Sequence, residues 1–504
     1  MELKLYNQAA SRLKNVKKLM YKVSQNSLNS VKKTMGEGVS YPNITGLDLS
    51  ITAEEYPNYR QLLAQIDPEN SNDEGLPIDL EHTPPDELIA GGFVHIDRTN
   101  QQQPVFTMTE KFMTNLFMRE LGKVFYRFEL FSNLRQLRLY YKDYAYPLGS
   151  FVVDGFKALT KLEELKIEVA RRPMGTHYLF QALLELPLLK KFKLKIAFIG
   201  NEEWSLLAQF LTRQTQLEAL AIRNLRKPTN PVPYLKQNQS LDTLLAALAN
   251  TRSLKFLTIK STYWSLEALS EGLNNLTMPN QLHTLKFEVS DENVTCDYLP
   301  WVRVEGLWNF ICDQKGSLRK LHIKFPHVYQ DNIVTYLAEA ISKATKLREL
   351  ELSLNFGGEK EAWIKYCKDT LQSDVPQKSR KELLMTKTWN PCIGNFIKRL
   401  ENLETFDLEF TIEDSSSARW FVDVMKALSG LEKLRKLEVN TDSGGMLWNE
   451  EEIMCKCLWE MKNIVDVDFY ICDEECGYRD ILTDLEKTYR DVSEKQSFRC
   501  DLMF

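Results

Sequence analysis

The sequence lacks long apolar runs, and none of its nine cysteines lies in the first 295 residues. No stretch of about 18 consecutive apolar residues occurs, so no membrane-spanning helix is predicted. The start of the chain, MELKLYNQAASRLKNVKKLM, has no apolar core, so a secretory signal is not expected. A chain without such a signal is expected to be cytoplasmic, with its cysteines present as reduced thiols.

Motifs for catalysis and cofactor binding are missing as well. None of the patterns GxxxxGK[ST], GxGxxG, HExxH, GxSxG or the EF-hand loop is present. The six histidines are scattered, and the closest pair, His322 and His327, has no neighbours that suggest a metal site or a catalytic triad. Catalysis needs a preorganised and partly buried group of residues. The sequence therefore predicts no enzymatic activity and no cofactor.

One sign of charge does not dominate the chain. The formal net charge is −5 and the pI is near 5.9. These values argue against a protein that coats nucleic acid or an anionic membrane over its whole surface. The apolar content of 43% and the charged content of 26% are those of an ordinary soluble protein.

A short pattern, L-x-x-L-x-L, recurs along most of the chain. Eleven copies begin at Leu134, Leu162, Leu189, Leu217, Leu254, Leu282, Leu318, Leu347, Leu403, Leu434 and Ile464. A further copy begins at Ile44, and an amphipathic helical stretch precedes each copy. The alternating apolar residues predict a short strand that is covered on one side by the helix. A single unit cannot bury its apolar face, so the units are expected to stack.

This repeat resembles the leucine-rich-repeat family, and its period is similar to that of the ribonuclease-inhibitor class. The resemblance covers residues 41–476 and implies an α/β solenoid of about 12 repeats of about 28 residues. It implies a curved horseshoe, with a parallel sheet on the concave face and helices on the convex face. The chain departs from the family where Asn or Cys usually follows the strand, because only Asn355 and Cys472 fit. The sequence is therefore a divergent, intracellular member by resemblance.

Segments outside the repeat predict caps and insertions. Residues 1–40 predict a basic amphipathic helix that either caps the first repeat or docks on a partner. A mitochondrial presequence is disfavoured, because the segment is rich in lysine rather than arginine. Insertions are predicted over residues 66–103, 225–239 and 356–395, and a C-terminal cap over residues 477–504. The first insertion is expected to be a surface loop, and the third an inserted helix and loop.

Four cysteines near the end of the array raise the question of a metal site. Cys455 and Cys457 fall two residues apart on a predicted helix, so they point to different faces. Cys472 occupies the position where the family has Asn or Cys, and Cys476 follows it. Structural zinc sites usually pair cysteines two to four residues apart in both halves. We therefore interpret these cysteines as part of the repeat and predict no metal.

Strand residues that point away from the helices are the candidate binding residues. They are basic in the middle repeats and acidic in the later ones. The set comprises Lys191, Lys193, Lys195, Arg223, Lys260, Lys320, Lys324, Glu349, Glu351, Asp407, Glu409, Asp466 and Asp468. One interpretation is a bipolar groove that fixes the direction of a partner. The other is a solvated face whose charges keep the sheet soluble.

The predicted function is a non-catalytic scaffold that binds other proteins. The resemblance implies a structural subunit of a larger assembly, with cytoskeletal and ciliary structures among the candidates. An alternative is a ubiquitin-ligase substrate adaptor, although the Leu-Pro start of an F-box-like domain is missing. Another is a small-GTPase regulator with a loop arginine, for which the candidates are Arg171, Arg172, Arg223 and Arg226. Nucleic acid is not expected as a partner, because the acidic half would repel a long polyanion.

Overall fold

The computed structural model describes only part of the 504-residue chain. The described residues are 18–23, 44–51, 94–97, 105–108, 121–141 except 123, 148–169, 175–224 except 198, 234–261, 266–274, 276, 281–289, 305–325, 331–355, 392–411, 418–441, 451–471 except 462, and 498–500. The chain forms two compact units, residues 1–226 and residues 227–504. We call them unit 1 and unit 2 and describe each separately.

Unit 1 is built from parallel strands that alternate with helices. Its strands are β1 (Lys18–Val23), β2 (Gly46–Ile51), β3 (Val94–Asp97), β4 (Val105–Met108), β5 (Gln136–Tyr141), β6 (Glu164–Val169), β7 (Lys191–Ile196) and β8 (Ala219–Asn224). Its helices are a 3-10 turn (Arg127–Leu130), α1 (Phe151–Lys157), α2 (Thr176–Leu183) and α3 (Asn201–Arg213). Strands β1, β2, β5, β6, β7 and β8 pair in parallel in that order. Strands β3 and β4 form a separate antiparallel pair.

Unit 2 repeats the same alternation. Its strands are β9 (Phe256–Ser261), β10 (Thr284–Val289), β11 (Lys320–Phe325), β12 (Glu349–Asn355), β13 (Thr405–Thr411), β14 (Lys436–Thr441), β15 (Asp466–Ile471) and β16 (Phe498–Cys500). Its helices are α4 (Tyr234–Leu248), α5 (Leu266–Asn274), α6 (Glu305–Asp313), α7 (Asp331–Ser342), α8 (Cys392–Ile397), α9 (Ala418–Leu428) and α10 (Glu451–Glu460). Strands β9 to β16 pair in parallel in sequence order.

The core of each unit lies between the strands and the helices. Strand residues alternate between buried and accessible, so that Leu137 and Leu139 are almost fully buried on β5. The buried strand side chains meet apolar helix side chains, as where the rings of Phe192 and Phe210 lie 5.1 Å apart. Each fully buried leucine contributes about 1.5–3 kcal/mol to folding. The buried leucines therefore account for the way successive repeats stack within each unit.

Backbone hydrogen bonds keep equivalent positions of successive repeats side by side. The residue just before each of the strands β5 to β8 and β10 to β15 donates its N–H to the carbonyl of the equivalent residue one repeat earlier. Glu163 donates to Arg135 at 2.8 Å in unit 1, and Arg319 donates to His283 at 2.9 Å in unit 2. Neighbouring strands of a sheet lie about 4.8 Å apart. Side chains at the same repeat position therefore form columns across the strands.

This arrangement is a leucine-rich-repeat solenoid, and the predicted fold class is confirmed. All twelve copies of L-x-x-L-x-L found in the sequence correspond to strands, namely β2 and the eleven strands β5 to β15. Two strands, β1 and β16, extend the array among the described residues. No described helix is long and apolar enough to cross a membrane.

The helix predicted over the N-terminal segment is wrong at its C-terminal end. Residues Lys18–Val23 form strand β1, which pairs with β2 in the register of the repeats. The reason is visible in the spacing of Val16, Leu19 and Tyr21, which matches that of the copy beginning at Ile44, 28 residues later. The segment therefore contains a repeat strand. Residues 1–17 lie outside the described part of the chain.

The boundaries of the predicted insertions also need correction. Residues 94–97 were predicted to be part of a surface loop, yet they form β3 and pair with β4. Residues 234–239 and 392–395 belong to the repeat helices α4 and α8, because helix formation continues back from the apolar residues that pack on the sheet. In the predicted C-terminal cap, residues 498–500 form β16. The other residues of these segments lie outside the described part.

Candidate interaction surface

The side of each sheet that faces away from the helices is the candidate surface. On β5, Arg138 and Tyr140 are accessible, whereas the residue after each of them, Leu139 and Tyr141, is buried. The same alternation holds on β6, β7 and β8, because successive side chains of a strand point to opposite faces. We call the surface made by the first, third and fifth residues of each repeat strand the open face.

All candidate residues predicted from the sequence occupy positions on the open face. Unit 1 carries Lys191, Lys193, Lys195 and Arg223. Unit 2 carries Lys260, Lys320, Lys324, Glu349, Glu351, Asp407, Glu409, Asp466 and Asp468. The predicted residues thus fall into two groups that belong to different units.

Ion pairs neutralise part of the open face of unit 1. Lys191 Nζ lies 2.6 Å from Glu164 Oε1 on the neighbouring strand. Lys166 Nζ lies 2.7 Å from Glu168 Oε1 on the same strand and 3.2 Å from the Tyr140 hydroxyl. The pairing of Lys191 makes it a weaker candidate for binding an external anion than its position alone suggests.

Three cations of unit 1 are not in direct contact with a described carboxylate, although Glu168 lies opposite Lys195 in the register of β6 and β7 and attracts both Lys193 and Lys195. Lys193, Lys195 and Arg223 make no ion pair with a described residue, and we call them the basic cluster. Lys195 and Arg223 are opposite each other in the register of β7 and β8. Desolvation, with Lys166 and Arg223 nearby, lowers the pKa of Lys193. The Nε of Arg223 is buried and has no hydrogen-bond partner in the described part of the chain. An external anion would relieve this crowding.

In unit 2, cations and carboxylates of adjacent strands pair with each other. Lys320 Nζ lies 2.5 Å from Glu349 Oε1. Lys324 Nζ lies 2.7 Å from Glu409 Oε2, two strands away. These contacts join residues that the sequence assigned to opposite charged ends. The charge difference along unit 2 is therefore smaller than the residue types alone indicate.

A histidine at the centre of the open face of unit 2 links two glutamates. His322 is only 8% exposed, and its Nε2 lies 3.4 Å from Glu288 Oε1 while its Nδ1 forms an ion pair with Glu351. The bond from His322 lowers the pKa of Glu288 to about 2, and Lys260 also pairs with this carboxylate. Burial lowers the pKa of His322, but its two glutamate partners raise the pKa by more than that, so the net shift is upward. The two carboxylates on either side of the ring therefore favour its charged form.

Asp407 is the one described open-face carboxylate of unit 2 that makes no ion pair with a described cation. Burial and the neighbouring Glu438 and Glu351 raise its pKa to about 7. The cation on the next strand, Lys436, is engaged with Glu438 at 3.0 Å. It also lies 3.9 Å from Asp466 and 3.8 Å from Asp468. The acidic end of unit 2 therefore contains one half-buried carboxyl that binds a proton near neutrality.

Several charged residues of the open face are absent from the predicted set. These are Arg138, Glu164, Lys166, Glu168, Lys286, Glu288 and His322. The signal was available, because each stands at the first, third or fifth position of a recognised repeat strand. The omission matters, because Glu164 and Glu288 form ion pairs with Lys191 and Lys260, two of the predicted lysines.

The described residues offer no arrangement typical of a catalytic centre or metal site. No group of three or more described His, Cys, Asp or Glu side chains is placed to hold a metal ion. Cys457 is buried on α10, and burial raises the pKa of its thiol, which disfavours the reactive thiolate. Cys472 and Cys476 lie outside the described residues. Stacked repeats of this kind present an extended surface suited to binding.

Comparison with known proteins gives a remote likeness only. No protein-family model and no curated protein matches the chain. Among solved structures, the crystal structure of a TLR13–ssRNA13 complex matches with 12% identity and a TM-score of 0.27. The match covers 92% of this chain and 65% of that one. At this TM-score the two chains do not superpose as whole molecules, so the fold rests on the repeating strands and helices described above.

Proposed function

We propose that the chain is a non-catalytic scaffold of the ribonuclease-inhibitor-like class, and that a partner protein docks on its open face. The observation that carries this proposal is the basic cluster in unit 1. Lys193, Lys195 and Arg223 lie side by side, partly desolvated, with no described carboxylate in ion-pair contact. A partner carboxylate placed there would gain attraction and relieve repulsion among the three cations.

The proposed role is that of a fixed subunit in a larger intracellular assembly. Charge complementarity across an interface fixes register and excludes wrong partners more than it adds affinity. The cations of unit 1 that make no ion pair offer a partner such a contact. The cytoskeletal or ciliary setting stays a prediction from the resemblance, and so does the cytoplasmic location.

Neither alternative function gains support from the described residues. For a small-GTPase regulator, Arg223 lies on a strand of the open face instead of a loop, and Arg171, Arg172 and Arg226 lie outside the described part. For an adaptor, residues 18–23 form a repeat strand and not part of an F-box-like helical domain. The expectation that nucleic acid is not a partner stays a prediction.

The test is quantitative affinity capture from source-cell extract with the intact chain and a charge-reversed variant. The variant carries Lys193→Glu, Lys195→Glu and Arg223→Glu. The control carries Lys157→Glu, Lys398→Glu and Lys426→Glu, which make the same charge change at exposed positions on or next to helices. We expect the variant to lose its partners by about tenfold or more, since repulsion replaces attraction, and the control to retain them.

Two results would contradict the proposal. Equal recovery of partners by the variant and the intact chain would mean that the basic cluster is not the docking surface. Loss of the same partners when the extract is first treated with ribonuclease would mean that RNA, and not a protein, occupies the cluster.

A further inference from the structure

The basic cluster of unit 1 lies around the smallest side chain of its part of the open face. In the parallel register of β7 and β8, Lys193 is beside Ala221 and Lys195 is beside Arg223. These four residues are the third and fifth of their strands, so their backbone positions form a rectangle of about 4.8 by 6.6 Å. Three corners carry long cationic side chains, and the fourth carries only the methyl group of Ala221. The rectangle therefore leaves room for a small group above the alanine.

No other rectangle of third and fifth positions on the described paired strands combines three cations with the absence of a carboxylate. Between β6 and β7 these positions include Glu168, which lies 2.7 Å from Lys166. Between β10 and β11 they include Glu288, which pairs with Lys260 and His322. The surplus of cations is therefore a property of the side chains on β7 and β8 and not of the repeat.

The charges of the rectangle are only partly compensated from outside it. Glu168 attracts Lys193 and Lys195 from β6, but its carboxylate is in contact with Lys166, so three lysines share it. Desolvation, together with Lys166 and Arg223, lowers the pKa of Lys193. The Nε of Arg223 is buried and has no hydrogen-bond partner in the described part of the chain. The site can therefore accept more than one negative charge.

A phosphate monoester suits this site better than a carboxylate. It carries about −1.5 to −2 charges at pH 7 and three strong acceptor oxygens, whereas a carboxylate carries one charge and two oxygens. Three oxygens match the three cationic side chains that stand around Ala221. The guanidinium of Arg223 can also offer two parallel N–H groups, which is the geometry that favours arginine at phosphate sites.

We propose that the basic cluster binds a phosphorylated side chain of the partner protein, with the phosphate group above Ala221. Lys193 and Lys195 donate to the phosphate from β7, and Arg223 donates from the adjacent position on β8. The inference rests on the function proposed above, because it names the chemical group of the partner that occupies the same surface. Phosphorylation of the partner then controls docking, since an unmodified serine or threonine brings no charge to the cluster.

The small size of the site favours a single phosphate over a nucleic acid. In the register of β6 and β7, Glu168 is beside Lys195 and Glu164 is beside Lys191. A strand of phosphates that ran from β8 across β7 to β6 would meet these two carboxylates. One phosphate on a protein side chain stays within the rectangle and avoids them.

The direct test is a binding titration of the full chain with a short fluorescent peptide that has one phosphoserine between glycines. Matched peptides carry glutamate or unmodified serine at the same position, and a short oligothymidylate tests nucleic acid. The variants are Lys195→Gln, which removes a cation, and Ala221→Glu, which fills the fourth corner with a carboxylate of the chain itself. Lys191→Gln is the control, because this lysine of the same strand already pairs with Glu164. Circular dichroism verifies that all three variants are folded.

We expect saturable binding of the phosphoserine peptide, about tenfold or more tighter than that of the glutamate peptide. Lys195→Gln should weaken the binding about fivefold and Ala221→Glu about tenfold or more, whereas Lys191→Gln should change it less than about twofold, because solvent screens the more distant charge. The proposal is overturned if the phosphoserine peptide shows no saturable binding or binds no more tightly than the glutamate peptide. It is also overturned if Lys191→Gln weakens binding as much as Lys195→Gln, or if the oligothymidylate binds more tightly than the peptide.

Phosphatase treatment of the extract separates the failure of this inference from the failure of the function on which it rests. We expect the treatment to remove the same captured partners that are lost with the variant carrying Lys193→Glu, Lys195→Glu and Arg223→Glu. Partners that survive phosphatase but are lost with that variant would overturn the phosphate and leave docking on the basic cluster intact. Partners that survive both changes would overturn both proposals.

Discussion

Two buried glutamines connect successive repeats at the scale of single residues. Gln314 is fully buried after α6, and its Oε1 accepts hydrogen bonds from the N–H of Gln281 at 3.1 Å and of Leu282 at 3.0 Å. Gln214 has the same role after α3, where its Oε1 accepts from Leu189 N–H at 2.6 Å. Buried backbone groups need partners. These amides therefore satisfy backbone groups in the turns between repeats.

Replacing Gln314 by methionine, which has a similar shape, should destabilise the protein. Two N–H donors would lose their partner inside the core, at a cost of about 1–3 kcal/mol. Urea unfolding followed by circular dichroism measures the change. The neighbouring exposed substitution Lys315→Ala should alter the free energy of unfolding by less than about 0.5 kcal/mol. Equal effects of the two substitutions would show that Gln314 does not connect the repeats.

Asp407 predicts a specific pH dependence of stability. Its pKa is about 7 in the folded chain and near 3.8 when unfolded, so the folded state binds its proton more tightly. This contribution to stability is present in full below about pH 4 and is lost as the pH rises through about 7. The shift corresponds to about 4 kcal/mol in a dry interior, and solvent screening of this half-buried carboxyl reduces it to about 1 kcal/mol.

Asp407→Asn should remove that dependence. We expect the loss of unfolding free energy between about pH 5 and about pH 8 to be smaller in the variant by about 1 kcal/mol. Urea titrations of both proteins at the two pH values measure it. An unchanged or larger loss in the variant would mean that Asp407 titrates normally.

At the scale of elements, close helix packing in unit 2 depends on one glycine. Gly306, at the start of α6, faces α5, and Leu307 N–H donates to Ser270 Oγ at 3.3 Å. A methyl group on Gly306 would overlap the carbonyl oxygen of Ser270. The two helices meet backbone to backbone at this point.

Gly306→Ala should therefore lower the free energy of unfolding by about 2 kcal/mol or more, because α5 and α6 must separate. Gly430→Ala is the matched control, since the nearest atom to its added methyl group would be 3.6 Å away. The control should change stability by less than about 0.5 kcal/mol. Thermal unfolding distinguishes the two, and tolerance of Gly306→Ala would contradict the close packing.

The elements themselves were predictable wherever the leucine spacing was regular. The strands β5 to β15 follow from L-x-x-L-x-L. The second and third apolar positions of the pattern are the alternating buried residues of the strand, and the first is the buried residue of the turn before it. Strand β1 was missed, since Met20 and Val23 also continue the helical spacing of Tyr6, Ala9, Leu13 and Val16. Only pairing with β2 decides between the two patterns, and single-sequence periodicity does not contain that pairing.

At the scale of the whole molecule, the charge pattern of each unit decides what its surface can bind. The positions of the open-face residues were readable from the sequence, as the fold fixes their direction. The ion pairs between these residues could not be predicted from the sequence. Lys324 and Glu409, for example, are 85 residues apart and meet only through the register of three strands. The partners determine which charges remain available, and these are Lys193, Lys195 and Arg223 in unit 1.

Amine labelling of the free chain and of its native assembly tests the central claim most directly. Mass spectrometry compares the labelling rates of Lys193 and Lys195 on the open face with those of Lys157 and Lys426 on helices α1 and α9. If a partner covers the open face, the two open-face lysines label quickly in the free chain and are protected in the assembly, while the helix lysines label equally in both. Equal labelling of Lys193 and Lys195 in both states, with protection of the helix lysines instead, would contradict docking on the open face.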